Sequence, residues 1–171
     1  MHIFISGAST GIGYETALLF SRDQKNTVFS LSSNKEKLEK LVAKAAELKL
    51  PGKIIPVVFD LAKDDPSKLD KVLEKVENIE ILINNAGLLI KKPFLDLTDN
   101  DWLNLIHVNL LGHIKIIRKI ASSMGKKQRG HIVNISSMGG FQGSVKFEGL
   151  SAYSAVKAAM ANLTESLAVE F

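Results

Sequence analysis

Tyr153 and Lys157 lie four positions apart in a stretch where Ala158, Ala159, Met160, Leu163, Leu167 and Ala168 recur at helical spacing. On a helix the two side chains share one face, one turn apart. An ammonium beside a phenol favours phenolate and lowers the tyrosine pKa from its ordinary value of about 10 toward working pH. A tyrosine so tuned can exchange a proton with a substrate oxygen. The same spacing also suits an ordinary tyrosine and a solvated lysine, so its meaning depends on what the rest of the chain brings to it.

A second group of residues suits phosphate. His2 to Ser6 is a short apolar run that reads as a buried strand; Gly7, Gly11 and Gly13 follow, and Thr16 to Phe20 continue as a helix. The spacing differs from G-x-G-x-x-G, but the physical use is the same. Gly7 permits a tight turn, Gly11 lets the backbone approach a pyrophosphate, and Gly13 lets helix and strand pack closely. The helix N-terminus adds N–H groups and a favourable dipole.

Further strands read at Thr27–Leu31, Ile54–Phe59, Ile79–Ile83 and His131–Ile135. Between them the apolar periodicity predicts a helix from Asn34 as N-cap to about Leu48. It predicts another opened by Asp65 and Pro66 with Leu69, Val72, Leu73 and Val76 on one stripe. A long one opens at a capping box, Thr98 to Asp101, and runs to about Met124. Gly125 to Gly130 reads as a turn, and the last helix runs from about Leu150 to the end. Strands apolar on both faces and alternating with helices predict an α/β fold: a Rossmann-type, doubly wound parallel sheet with helices on both sides, in one domain over residues 1–171. Ligands of such sheets sit beyond the carboxyl ends of the strands. The polar groups fall there: Gly7 to Gly13, Asp60, Asn84 to Gly87, and Ser136 and Ser137.

Composition narrows the chemistry. The chain is 46% hydrophobic and 23% charged, an ordinary globular balance, and holds no cysteine, so disulfides, thiolate catalysis and cysteine zinc sites are excluded. The net charge is +4, yet the lysines from Lys35 to Lys44 alternate with glutamates at helical spacing. They read as a solvated face, and few aromatics accompany them, so anionic small molecules are expected rather than nucleic acid. No apolar run is long enough to span a bilayer, and the N-terminus lacks the pattern of a signal peptide, so the expected compartment is the cytoplasm.

Ser6 to Gly13, Asn84 to Gly87, Asn109, Asn134 to Ser137, and Tyr153 with Lys157 occur in the order found in short-chain dehydrogenases/reductases, and the chain resembles that family over its whole length. The resemblance implies an NAD(P)-dependent oxidoreductase that moves a hydride between nicotinamide and an alcohol/carbonyl substrate. Its catalytic residues would be Asn109, Ser137, Tyr153 and Lys157. Tyr153 would be the general acid/base, Lys157 would lower its pKa and hold the nicotinamide ribose, and Ser137 would stabilise charge on the substrate oxygen. Asn109 would hold a water on a proton relay, or be a buried asparagine satisfied by backbone. The cofactor would lie against Gly7, Ser9, Thr10, Gly11, Ile12, Gly13, Ser32, Ser33, Asp60, Leu61, Asn85, Ala86, Gly87, Tyr153 and Lys157.

Ser6 stands where the family usually has threonine and keeps the hydroxyl. Ser32 and Ser33 follow the second strand, where family members carry an acid for NAD(H) or an arginine for NADP(H); neither is present, Thr10 is not basic, and the missing acid favours NADP(H). No metal is expected. Family members continue beyond the point matching Phe171 with further strands and a segment closing over substrate, so a chain ending there is expected to be C-terminally truncated. Phe141, Val145 and Phe147 would line a pocket or pack their loop down. A homodimer or homotetramer is expected through residues 99–124 and 150–171. A dinucleotide-binding protein without turnover is the competing expectation.

Overall fold

The computed structural model describes residues 1–124 and 130–171; the turn expected from Gly125 to Gly130 lies almost entirely outside them. The apolar runs form β1 (His2–Ser6), β2 (Thr27–Ser32), β3 (Lys53–Val58), β4 (Ile81–Asn84) and β5 (His131–Asn134). All pair in parallel in the order β3-β2-β1-β4-β5, with Ile5 opposite Ser30 on one side and Ile83 on the other. Successive side chains alternate between the two faces. Ile3, Ile5, Val28 and Ile83 pack under the helices α1 (Gly11–Phe20) and α2 (Lys35–Glu47) through Ala17, Leu18, Leu41 and Ala45. Phe4, Phe29 and Leu82 turn the other way, with Phe4 stacked on Phe29 at 4.4 Å between ring centres, and meet Ile116, Ile117 and Ile120.

Burial on both faces holds for the interior strands and fails at the edges. β3 exposes Ile55 and Val58, and β5 exposes Val133 at 41%. Each edge strand has a sheet neighbour on one side only, which also explains why Pro56 is tolerated in β3. The open side of β5 borders a groove lined by Met124, Ile132, Asn134, Leu167 and Phe171.

Two expected helices differ. The stripe from Leu69 to Val76 forms a tight 3-10 turn (Pro66–Leu69) and then a single α-turn, α3 (Asp70–Leu73). Leu69 and Val76 are buried regardless, because the core needs their apolar surface rather than a long helix. The long helix expected from 99 to 124 is three pieces: α4 (Asp99–Ile106), a π-helical turn (His107–Leu111) and α5 (Gly112–Met124). The widened turn contains Asn109. At its start, α4 carries the expected capping box, Thr98 with Asp101. The Asp101 carboxyl also accepts from Lys92 Nζ at 2.8 Å. That bond and those from Thr98 hold its pKa down at about 2. The last helix, α6 (Ser151–Glu170), carries Tyr153 and Lys157 on one face. No helix among the described residues is long and apolar enough to cross a membrane.

Candidate active site

The nucleotide turn is built on contacts that leave no room for side chains. Gly7 has φ +67°, and a Cβ there would stand 2.6 Å from Ala86 Cα. A Cβ on Gly13 would stand 2.5 Å from both Gly7 O and Asn85 Nδ2. The two N–H donors of Asn85 Nδ2 go to Ser6 O at 3.2 Å and Gly7 O at 3.1 Å. Ser6 Oγ accepts from the Asn85 and Ala86 amides, both at 3.1 Å. Ser6, Gly7, Gly13, Asn85 and Ala86 therefore form one body at the ends of β1 and β4.

Beside it lies a helix end that the chain itself does not cap. Thr10 is the N-cap of α1, but its side chain makes no capping bond, and Thr10, Gly11 and Ile12 are exposed. By contrast Asn34 Oδ1 caps α2 by accepting from Lys37 N at 2.9 Å. The first-turn N–H groups of α1 thus have no side-chain partner from Thr10 and face outward, an arrangement that fits a pyrophosphate. At the end of β2, Ser32 Oγ donates to Ser9 Oγ at 2.9 Å and accepts from Asn34 N at 3.2 Å, while Ser33 is exposed. Lys35 pairs with Glu39 at 3.7 Å on the exposed face of α2. At the end of β3, Asp60 Oδ1 accepts from Ala62 N at 2.9 Å. Leu61 is buried against Gly112, so only its main chain is available to a ligand.

The second cluster forms where the loop after β5 meets α6. Ser136 Oγ donates to Lys157 O at 2.8 Å. A Cβ on Gly140 would stand 2.7 Å from Lys157 C, so the loop rests directly on the helix backbone. Lys157 is buried, which pushes its pKa down. Its Nζ donates to Ile135 O at 2.7 Å and lies 5.8 Å from the centre of the Tyr153 ring. Ser137 Oγ accepts from Gly139 N at 3.2 Å. Neither the Ser137 hydroxyl proton nor the half-buried Tyr153 hydroxyl has a partner among the described residues.

Asn109 is fully buried and spent on backbone. Its Oδ1 accepts from Leu88 N at 3.0 Å, and its Nδ2 donates to Leu88 O at 2.9 Å and Leu105 O at 3.0 Å. This is the backbone-satisfied arrangement. One lone pair of Oδ1 remains beside Gly87, where an added Cβ would stand 3.0 Å from Oδ1 and 3.7 Å from Lys157 Nζ. Asn109, Gly87 and Lys157 thus meet at one point. Phe141, Val145 and Phe147 do not pack their loop down: Phe141 and Val145 are each 71% exposed, and Phe147, with Phe94, lines an open groove that neither of the other two lines.

One buried polar residue was not anticipated. His113 begins the core-facing stripe of α5 with Ile116, Ile117, Ile120 and Met124. Its Nε2 is 3.4 Å from Ser6 Oγ. The signal was a lone imidazole at the head of an apolar stripe, one turn beyond Asn109.

Comparison with known proteins gives the family and the fold. The family model for short chain dehydrogenases matches residues 1–171. A 3-oxoacyl-(acyl-carrier-protein) reductase of Thermotoga maritima is 36% identical over 168 residues, which are 97% of this chain and 66% of the relative. A 3-ketoacyl-ACP reductase from Sinorhizobium meliloti superposes with a TM-score of 0.89 at 27% identity, over 99% of this chain and 66% of that one. A metagenomic short-chain oxidoreductase in complex with NADP does so with a TM-score of 0.87 at 30% identity, over 99% and 76%. The chain spans about two thirds of the length of the curated relatives it matches.

Proposed function

The chain belongs to the short-chain dehydrogenase family, and we propose that it binds a nicotinamide dinucleotide across the ends of β1 to β4 and interconverts an alcohol and a carbonyl at Tyr153. The observation that carries this reading is the pair of uncommitted hydroxyls, Ser137 and Tyr153, beside the buried Lys157 ammonium. When bound, the nicotinamide supplies hydride in reduction and takes it in oxidation. The chain does the rest. Ser137 donates its free proton to the substrate oxygen and stabilises the charge that grows there. Tyr153 gives that oxygen a proton in reduction and takes one in oxidation. Lys157 has three donors and spends one on Ile135 O, which leaves two for the ribose hydroxyls. The remaining lone pair of Asn109 Oδ1 holds a water against Lys157.

The first turn of α1 takes the pyrophosphate, and the Asn85 to Gly87 segment and Asp60 border the nucleoside halves. Ser32 spends its proton on Ser9 Oγ, and the hydroxyls of Ser9 and Ser33, with no carboxylate after β2, suit the 2′-phosphate of NADP(H) better than they exclude it. The exposed Phe94 and Phe147, which line the groove beside α6, favour a carbonyl compound with an apolar body. The faces of α4, α5 and α6 are the surfaces for a homo-oligomer, and the compartment is the cytoplasm.

The test is carbonyl-dependent oxidation of NADPH by this chain over a panel of ketones and 3-oxoacyl thioesters, with NADPH binding followed separately by fluorescence. Turnover that vanishes in Tyr153→Phe while binding persists supports the reading. Binding without turnover in the unmodified chain instead indicates a non-catalytic dinucleotide-binding protein. Absence of binding overturns both.

A further inference from the structure

Ser6 Oγ poses a counting problem. A hydroxyl has two acceptor positions and one proton. Both acceptor positions are filled, by the Asn85 and Ala86 amides at 3.1 Å. Ser6 is 1% exposed, so its proton must find a partner inside the protein. Among the described residues the acceptor in reach is His113 Nε2, at 3.4 Å, itself only 1% exposed. Were Nε2 protonated, it would be a third donor aimed at an oxygen with two lone pairs. The ring must therefore be neutral, with its proton on Nδ1.

We propose that His113 is a positioning residue for the nucleotide turn: its Nε2 takes the Ser6 hydroxyl proton and so keeps both Ser6 lone pairs on the Asn85 and Ala86 amides. The placement extends the effect. His113 stands one turn beyond Asn109, whose amide is bonded to Leu88 in the segment after β4, so a single side chain ties α5 to the end of β1. The charged group facing His113 is Lys157 of α6. Burial first, and that ammonium second, push the imidazole down to about 4, against a smaller opposite pull from the Asn109 backbone, to which Nδ1 closes no hydrogen bond. The ring is thus neutral at physiological pH. The effect on cofactor affinity rests on the proposed reading of this turn as a nucleotide site; the protonation of His113 does not.

Two measurements test it. Long-range proton–nitrogen correlation spectra of the uniformly labelled chain report the tautomer of each histidine, with His113 assigned by its absence in His113→Gln. The expected result is a His113 ring protonated on Nδ1 and unchanged from pH 7.5 to about 5, as its displaced pKa requires. An Nε2-protonated or cationic ring at neutral pH overturns the proposal, whatever the chain binds. NADPH titration then reads the positioning. His113→Phe should weaken binding about fivefold, the scale of one hydrogen bond. His113→Gln, whose amide oxygen can accept the same proton, should lose less. Ser6→Ala combined with His113→Phe should weaken binding no more than the stronger single change. Additive losses overturn the coupling. If the unmodified chain binds no NADPH, the functional reading fails and the tautomer result still decides the role of His113.

Discussion

The turn after β1 and the loop after β5 both end parallel strands of the same sheet, yet they treat their polar atoms oppositely. At the turn, both lone pairs of Ser6 Oγ and both hydrogens of Asn85 Nδ2 are committed within the domain. At the loop, Ser136 is committed to the Lys157 carbonyl, but the Ser137 proton and the Tyr153 hydroxyl are left open. Satisfied buried groups rigidify what they join, whereas a group that must trade a proton has to keep an unfilled position. Even adjacent serines divide this way: Ser136 fixes the helix and Ser137 keeps its proton.

The largest expected effect would break that contrast outright. Tyr153→Phe should reduce turnover by about a thousandfold, within the range for a general acid/base, while the melting temperature stays close to that of the unmodified chain. A comparable loss of stability would mean that Tyr153 belongs to the frame. The next effect concerns the frame itself. The His113 pKa is lowered to about 4 from 6.5, so the unfolded chain binds the extra proton first as pH falls. The stabilisation from a neutral His113 is complete above pH 6.5 and is lost on descending toward 4. Its size is roughly 3 kcal/mol at most, from the displacement of the pKa. Urea unfolding at a series of pH values should show this slope, and His113→Gln should flatten it.

A paired substitution sharpens the contrast at its finest point. Ser137→Ala should lower kcat about a hundredfold with stability unchanged, as expected on losing one donor to a developing oxyanion. Ser136→Ala should do the reverse, costing about 1 kcal/mol of stability through the lost bond to Lys157 O, with a much smaller change in kcat. Equal kinetic losses from both would erase the distinction. The smallest pair compares two helix starts. Asn34→Ala should cost about 1 kcal/mol because a working N-cap is removed. Thr10→Ala should leave stability nearly unchanged, since Thr10 makes no capping bond, and should show itself only in cofactor affinity.

Some of this was plain from residue order alone. Apolar runs of strand length, separated by amphipathic stretches, led to the parallel sheet and its helices because burial on both faces demands that pattern. Glycine spacing located the turn, since a backbone at φ +67° packed against Ala86 admits little else. The spacing of Tyr153 and Lys157 placed both on one helical face. The edge strands were less legible: their apolar residues resemble those of interior strands, and only the strand order leaves Val58 and Val133 exposed.

What residue order could not decide was which polar atoms remain free. Asn109 read as a water holder, with a backbone-bound asparagine as the alternative. The π-helical turn, invisible to helical periodicity, brought its amide to Leu88 and Leu105 while leaving one lone pair beside Gly87. His113 is one polar residue in an apolar stripe, and only the tertiary structure sets Ser6 of β1 against it. Residue type determines how many hydrogen bonds a side chain can make. How many are already taken depends on neighbours distant in the chain, and only the packed tertiary structure brings those within reach.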